Sequence, residues 1–351
     1  MNNLLYDDIE LWLKTGIEFN KFRNKTFMVT GATGLIGSLI IKTLLYLNKK
    51  KHLNTKIIGV IRNVNKARKI YGDLFYDEKL LFTVSDLSKD KINLDEQIDF
   101  LVHAASVTTS RYLVESPVES FDVAINGTQR VLEFAKEKKV SKVIYISSME
   151  VYGNLNLDRM ATEDDLGYID LKNVRSVYSE GKRICELLCK AYVSEYGMNI
   201  VSARLAQTFG AGILPGENRV FAQFARSIIE DKPIVLHTEG NSEGNYVYTI
   251  DAIMAIFILI LKGQSGETYN IANPESHTTI REMAELVASN FSENKSKVII
   301  DIPKDVQNYG YAPDTHLWMS IEKIKKLGWI PRNNMVDSYA KMISWMRENN
   351  I

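Results

Sequence analysis

Apolar positions along this chain fall into two textures. Short continuous runs rich in β-branched residues (TFMVTG, TKIIGVIR, LLFTVS, DFLVHAA and KVIYISS) lie among longer stretches such as GSLIIKTLLYLNKK and ESFDVAINGTQRVLEFAKEK, where apolar residues recur at helical spacing. Runs without polar alternation predict strands buried on both faces, as in a parallel sheet covered by helices. Residues 25–210 therefore read as a doubly wound α/β unit. The stretch LLYDDIELWLKTGIEF ahead of it reads as a leading amphipathic helix within residues 1–24. From about Gly210 the texture changes to glycine-rich loops, isolated strands in PIVLHT and ETYNIA, and helices that begin near Asp251 and Thr279. Residues 211–351 thus read as a smaller C-terminal region, interleaved with the first. No internal repeat or low-complexity segment is evident.

Composition narrows the picture. Lysine plus arginine equals aspartate plus glutamate at 43 each, so net charge offers no electrostatic ground for nucleic acid or an anionic membrane as partner. The longest apolar run, AIMAIFILIL, is half of the roughly 20 residues that span a bilayer, and so predicts a buried helix. Acids stand in MNNLLYDDIELWL where a secretory leader carries lysines, which points to a cytoplasmic protein. Cys185 and Cys189 are four apart in a helical pattern and share one face. No further cysteine or close histidine completes a metal or redox site, so packing is the expected role and no metal is expected.

Candidate chemistry begins at TGATGLIG, where Gly31, Gly34 and Gly37 punctuate a strand-to-helix turn. Such a turn presents unpaired helix N-terminal amides, and glycines let a pyrophosphate approach the backbone. This makes Gly31, Thr33, Gly34, Leu35, Ile36 and Gly37, with Ala104 and Ala105 of HAAS, candidate dinucleotide contacts in a Rossmann-type fold. The spacing is G-x-x-G-x-x-G. After the second strand, GVIRNVNKARK places Arg62, with Lys66 and Arg68 nearby, where an acid would bind a ribose 2′-hydroxyl. Arg62 would suit a 2′-phosphate, or these are ordinary solvated charges, so NAD and NADP both stay open. Asp86 and Leu87 follow the third strand and are candidates to hold and pack an adenine.

Two later segments supply a reactive set: Ser148 in YISSMEVYG, and Tyr178 with Lys182 in YSEGKRICELL. Tyrosine and lysine four apart on a helix share a face. To serve as a base near neutrality, a phenol of pKa ~10 must drop by about 3 units, equivalent to roughly 4 kcal/mol. An ammonium ~4 Å away supplies about that much at an effective dielectric of ~20. The expectation is that Lys182 acidifies Tyr178 while Ser148 holds the substrate oxygen beside it.

With these residues in place, the chain resembles the extended short-chain dehydrogenase/reductases, in particular the nucleotide-sugar epimerase/dehydratase group. The resemblance runs from about residue 25 through TGATGLIG, HAAS, SSMEVYG, YSEGK, ARLAQTFGAG, YVYTIDA, YNIANP and IKKLGWIP. It implies that a bound nicotinamide cofactor oxidises a sugar hydroxyl, commonly at C4, and that the transient ketone permits epimerisation, dehydration or decarboxylation. It implies catalysis by Ser148, Tyr178 and Lys182, with Glu150 as an acid/base group that leans toward lyase chemistry over simple 4-epimerisation. Thr108, Gln207, Arg219 and Tyr248 are candidate substrate contacts, Arg219 for the nucleotide diphosphate; Tyr246 and Tyr248 could equally be core aromatics. His103 is expected to line the cofactor site without acting as an acid or base. A homodimer is implied through the helices around Glu119 to Lys138 and Ser179 to Tyr196.

Four positions depart from the family pattern. Met149 stands where the dehydratases have an acid, and Gly244 where the decarboxylases have an arginine. Ala124 and Gln207 each replace an asparagine. These departures imply an altered pocket and keep a catalytically inactive, cofactor-binding regulatory protein as the alternative from another class.

Overall fold

The computed structural model describes residues 3–292, 297–302 and 314–351. Its strands are β1 (Thr26–Thr30), β2 (Lys56–Ile61), β3 (Leu80–Val84), β4 (Phe100–His103), β5 (Lys142–Ser148), β6 (Ile200–Leu205), β7 (Gln207–Phe209), β8 (Ile234–Leu236), β9 (Glu243–Tyr248), β10 (Thr268–Ile271), β11 (Asn273–Thr279) and β12 (Val298–Ile300). Seven of them form one parallel sheet in the order β10-β6-β5-β4-β1-β2-β3. The order reverses between β1 and β4, where such a sheet opens a crevice beyond its strand ends.

Strand periodicity explains the two layers of core. Phe27 and Val29 of β1 join the larger apolar cluster on one face, and Met28 joins the smaller cluster on the other. Ile57 and Ile58 of β2 divide in the same way, as do Ile144 and Tyr145 of β5. Side chains that alternate between two buried faces require helices on both.

The helices are α1 (Asn3–Leu13), α2 (Leu35–Lys51), α3 (Val64–Tyr71), α4 (Ser110–Glu115), α5 (Pro117–Glu137), α6 (Ser176–Tyr196), α7 (Val220–Ile229), α8 (Thr249–Lys262), α9 (Ile280–Phe291), α10 (Glu322–Lys325) and α11 (Met335–Asn349). The apolar run 252–261 lies in α8, which is buried from Thr249 to Ile260. No described helix is long and apolar enough to cross a membrane. Cys185 and Cys189 are buried free thiols on α6.

The second half is woven into the first. β10 completes the main sheet, while β7 leaves it to pair with β9 in a three-stranded sheet ordered β11-β9-β7. The leading segment departs from expectation: α1 ends at Leu13, Gly16 takes a left-handed φ of +79°, and a short helical turn follows at Phe19–Phe22. Phe19 and Phe22 of that turn are buried in the same apolar cluster as Leu5, Ile9 and Trp12 of α1.

Candidate active site

The strand-to-helix turn after β1 is built by close backbone approach. A Cβ on Gly31, whose φ is +65°, would lie 2.7 Å from the Ala104 carbonyl oxygen and from the Ala105 amide nitrogen. A Cβ on Gly37 would lie 2.3 Å from the Gly31 carbonyl oxygen. The fold of the turn itself therefore requires glycine at these two positions. Gly34 differs: it is exposed, and the nearest atom to its Cβ would be 3.3 Å away. It is the N-cap of α2, and no side chain caps that end. The first-turn amides of a helix, here at Leu35, Ile36 and Gly37, have no partner within the helix. A cradle of this kind fits an anionic diphosphate. Thr33 lies half-buried at its rim.

A buried polar chain holds the neighbouring strand end. His103 Nδ1 pairs with Thr30 Oγ1 at 2.7 Å and Nε2 with Thr128 Oγ1 at 3.0 Å, while the Ala105 amide donates to Thr30 Oγ1 at 3.2 Å. Burial pushes His103 down to about 3, so it stays neutral and positions Ala104 and Ala105. Farther along, Arg62 is exposed past the end of β2. Hydrogen bonds from Ser88 hold the Asp86 carboxyl below its usual range, and the charge of Arg62 adds to this. Leu87 is buried in the smaller core cluster, abutting Gly127 of α5.

β5 ends at Ser148, whose Oγ accepts from the Glu150 amide at 3.2 Å. Tyr178 lies in the first turn of α6 and Lys182 one turn later. Small residues let α6 come close to α5: a Cβ on Gly181 would sit 3.4 Å from that of Ala124, and Cys185 Sγ donates to the Ala124 carbonyl at 3.2 Å. Asn126 does not substitute for a side chain at Ala124, because it is exposed and donates to Asp122.

Lys182 is anchored to the backbone of β5. Its Nζ donates to the Ile146 carbonyl at 2.7 Å and lies 5.8 Å from the centre of the Tyr178 ring. Burial pulls the ammonium down to about 8. Burial, followed by the charge of Glu150, pushes the Tyr178 phenol up to about 12. Ser148, Arg219 and Arg175 favour the phenolate and offset part of that rise. Withdrawal from water is the largest of these influences on Tyr178.

Glu150 is not a free carboxylate. Arg175 Nη1 and Nη2 donate to its two oxygens at 3.0 and 3.3 Å, and Ser179 Oγ donates at 3.3 Å. Neither partner was anticipated; the available signal is that Arg175 precedes Tyr178 by three residues, on the same helix face. Met149 faces Gly244, with its Cε 3.7 Å from where a Cβ on that glycine would stand. Gln207 opens β7, half-buried, in register with Tyr246. Arg219 is exposed and held by Glu217 at 2.9 and 2.6 Å, yet its charge reaches Tyr178. Thr108 is exposed in the loop after β4. Tyr248 is corrected from substrate contact to core: it is 1 % exposed, and its hydroxyl donates to Asp8.

Comparison with known proteins bears on this geometry. Residues 27–272 match the model of the NAD dependent epimerase/dehydratase family. The dTDP-D-glucose 4,6-dehydratase of Homo sapiens is 27% identical over 340 residues, covering 93% of this chain and 91% of that protein. The crystal structure of UDP-glucose 4-epimerase from Thermotoga maritima with UDP-glucose has a TM-score of 0.76 at 20% identity, covering 93% of this chain and 100% of its own. That of a dTDP-glucose 4,6-dehydratase from Streptomyces venezuelae with NAD bound has a TM-score of 0.74 at 21% identity, covering 93% and 98%.

Proposed function

Because this chain belongs to the NAD dependent epimerase/dehydratase family, we propose that it modifies a nucleotide-linked sugar through transient oxidation of one hydroxyl, at C4 by resemblance. The observation that carries the reading is the convergence of Ser148, Tyr178 and Lys182 on one end of the sheet that also bears the glycine turn. When bound, NAD or NADP supplies the hydride acceptor and donor and a positive charge beside the phenol; the NAD-bound Streptomyces structure supports NAD.

The chain's own groups do the rest. The α2 amides and Gly34 receive the diphosphate. Ser148 holds the sugar oxygen, and Tyr178 takes its proton as the carbon is oxidised and returns it when the ketone is reduced. Arg175 and Arg219 favour the phenolate that this requires. Glu150 stands close enough to Tyr178 for its charge to reach the phenol, and by resemblance a glutamate here supports acid/base work beside the reacting carbon and hence a lyase. A second reading, 4-epimerisation, is favoured by the grip of Arg175 on Glu150 and by Met149, whose thioether donates no proton.

We assign the assembly to a homodimer. On α6, Ile184 and Leu187 lie three apart on one face, 38 % and 70 % exposed, and Val118 of α5 is 80 % exposed. A second copy would cover them. Light scattering should give a dimer at micromolar concentration and a monomer for Leu187→Glu; a wild-type monomer would refute the assignment.

The decisive test incubates the protein with a panel of nucleotide sugars and follows product masses. Loss of water, loss of carbon dioxide or an unchanged mass with altered stereochemistry distinguishes the reactions. Tyr178→Phe should lower turnover about a thousandfold, in the range of lost acid/base catalysis, while cofactor affinity holds. Undiminished turnover would overturn the assignment of Tyr178, and cofactor binding with no turnover of any nucleotide sugar by the wild type would favour a cofactor-binding protein without this chemistry.

A further inference from the structure

The helix that carries Tyr178 also walls a second concavity. A cavity of about 380 Å³ lies between α6 and the edge of the main sheet formed by β6 and β10, within the roughly 300–1,000 Å³ of small-molecule sites. Arg183, Glu186, Leu187 and Lys190 line it from α6; spaced three and four apart, they share one face of the helix, and Tyr178 and Lys182 lie on the next face round. Ser202 of β6 and Thr268 of β10 line it from the sheet. They are paired in register, so their side chains stand beside each other on one face. Ser202 is 5 % exposed, and neither hydroxyl has a hydrogen-bond partner among the described residues. A hydroxyl withdrawn from water costs free energy unless it is bonded, so this pair marks a place where an occupant of the cavity supplies the bonds.

The surrounding charges cancel. Arg204 and Glu186 form a buried pair, in which Nε and Nη2 donate to the carboxylate at 3.0 and 2.8 Å while Nη1 donates to the Glu163 carbonyl at 2.9 Å. A guanidinium has five N–H groups and a carboxylate about four lone-pair sites, so the pair keeps donors and acceptors to spare. Arg183 faces Glu180 at 3.2 Å, and the charge of Lys190 reaches Glu267. With each cation answered by an acid, the lining selects no ion. Leu166 and Leu187 complete it as apolar surface, 57 % and 70 % exposed. Neighbouring hydroxyls, a carboxylate and guanidinium with free valences, and leucines beside them suit a ring that carries hydroxyls on its rim and C–H groups on its faces. We propose that this cavity binds a neutral sugar or other cyclic polyol at a site separate from the catalytic cleft. The inference does not depend on the nucleotide-sugar reading above.

The test is ligand-observed NMR titration of the full-length protein with glucose, N-acetylglucosamine and myo-inositol, and with glucose 6-phosphate as the charged counterpart. Leu187 also belongs to the face assigned to a second copy, so the titration uses the protein in its own assembly state. Saturable binding of at least one neutral ring in the millimolar range is expected, with the phosphate weaker. Ser202→Ala and Thr268→Val remove hydroxyls that hold nothing in the protein, so their unfolding midpoints should stay at the wild-type value. Each should weaken binding about fivefold, the loss of one hydrogen bond. Either variant suffices if the other does not fold.

Absence of saturable binding by all three neutral rings, at concentrations well above that range, would overturn the inference and leave the cavity to water. Wild-type affinity in both variants would place any bound sugar elsewhere, the catalytic cleft included, and would overturn it too. Tighter binding of the phosphate than of glucose would refute the neutral character of the site.

Discussion

Lys182 shows what a single buried charge costs and where the cost appears. It is 4 % exposed, with the Ile146 carbonyl as its hydrogen-bond acceptor and the faces of Tyr145 and Tyr178 at 5.0 and 5.8 Å. Burial depresses it from 10.5 to about 8, so between those values the unfolded chain holds a proton that the folded one has released. Stability from this group therefore rises with pH through that window, and the burial cost is fully felt below it. Urea unfolding of the wild type should be about 2 kcal/mol more favourable to the fold at pH ~9.5 than at pH ~7.5 on account of Lys182 alone. Lys42, depressed to about 8 by burial as well, adds in the same direction, so the comparison is with Lys182→Met, which should lose the Lys182 share. An identical pH response in both proteins would refute the burial argument. Residue types and spacing made Ser148, Tyr178 and Lys182 legible in the sequence, because serine at a strand end and a Y-x-x-x-K pair are local patterns. The protonation of Tyr178 was not legible, since burial is a property of the assembled cleft. Nor was the partner of Glu150, which lies 25 residues away on another element.

At the level of elements, the turn between β1 and α2 separates two functions that the glycine spacing alone merges. Gly37→Ala would force a Cβ to 2.3 Å from the Gly31 carbonyl oxygen, and no flexible side chain is there to yield. Destabilisation of about 3 kcal/mol, the upper range for overpacking, is expected in denaturant titrations. Gly34→Ala stands on an exposed N-cap at φ −90°, ψ 171°, a conformation open to any residue. It should fold with an unchanged midpoint and bind the dinucleotide more weakly, read by titration with NAD. If Gly34→Ala destabilises as much as Gly37→Ala, the division of labour is wrong. The parallel sheet and its covering helices were legible because their apolar runs are continuous and their neighbours helical. The break in the leading segment was not, because the φ of Gly16 is set by where Phe19 and Phe22 find the core. The departure of β7 from the main sheet was likewise hidden, since a three-residue strand carries no period of its own.

Across the whole molecule, the two ends of the chain meet over α8 and the end of β9. Asp8 of α1 accepts from the Tyr248 hydroxyl and from Lys341 of α11, and Lys341 also donates to Asn333. Asp251, at the start of α8, accepts from Trp12 Nε1 and from the Arg332 and Asn333 amides. Tyr248 in turn packs on Gly210, where a Cβ would meet its ring at 2.3 Å, so the clasp is continuous with the loop that follows β7 and Gln207. Breaking it at Asp8 leaves an ammonium and a phenol facing a buried vacancy, and Asp8→Ala should cost about 3–5 kcal/mol, the scale for removing one partner of a buried pair. Trp12→Phe keeps most of the apolar contact and removes one N–H donor from Asp251, so about 1–2 kcal/mol is expected. Asp8→Ala and Lys341→Met share a hydrogen bond and should therefore couple by about 1 kcal/mol or more in a double-mutant cycle followed by urea unfolding. Strict additivity would mean that the terminal helices dock independently. Coupling would mean that α1 and α11 act as one clamp on Tyr248 at the end of β9.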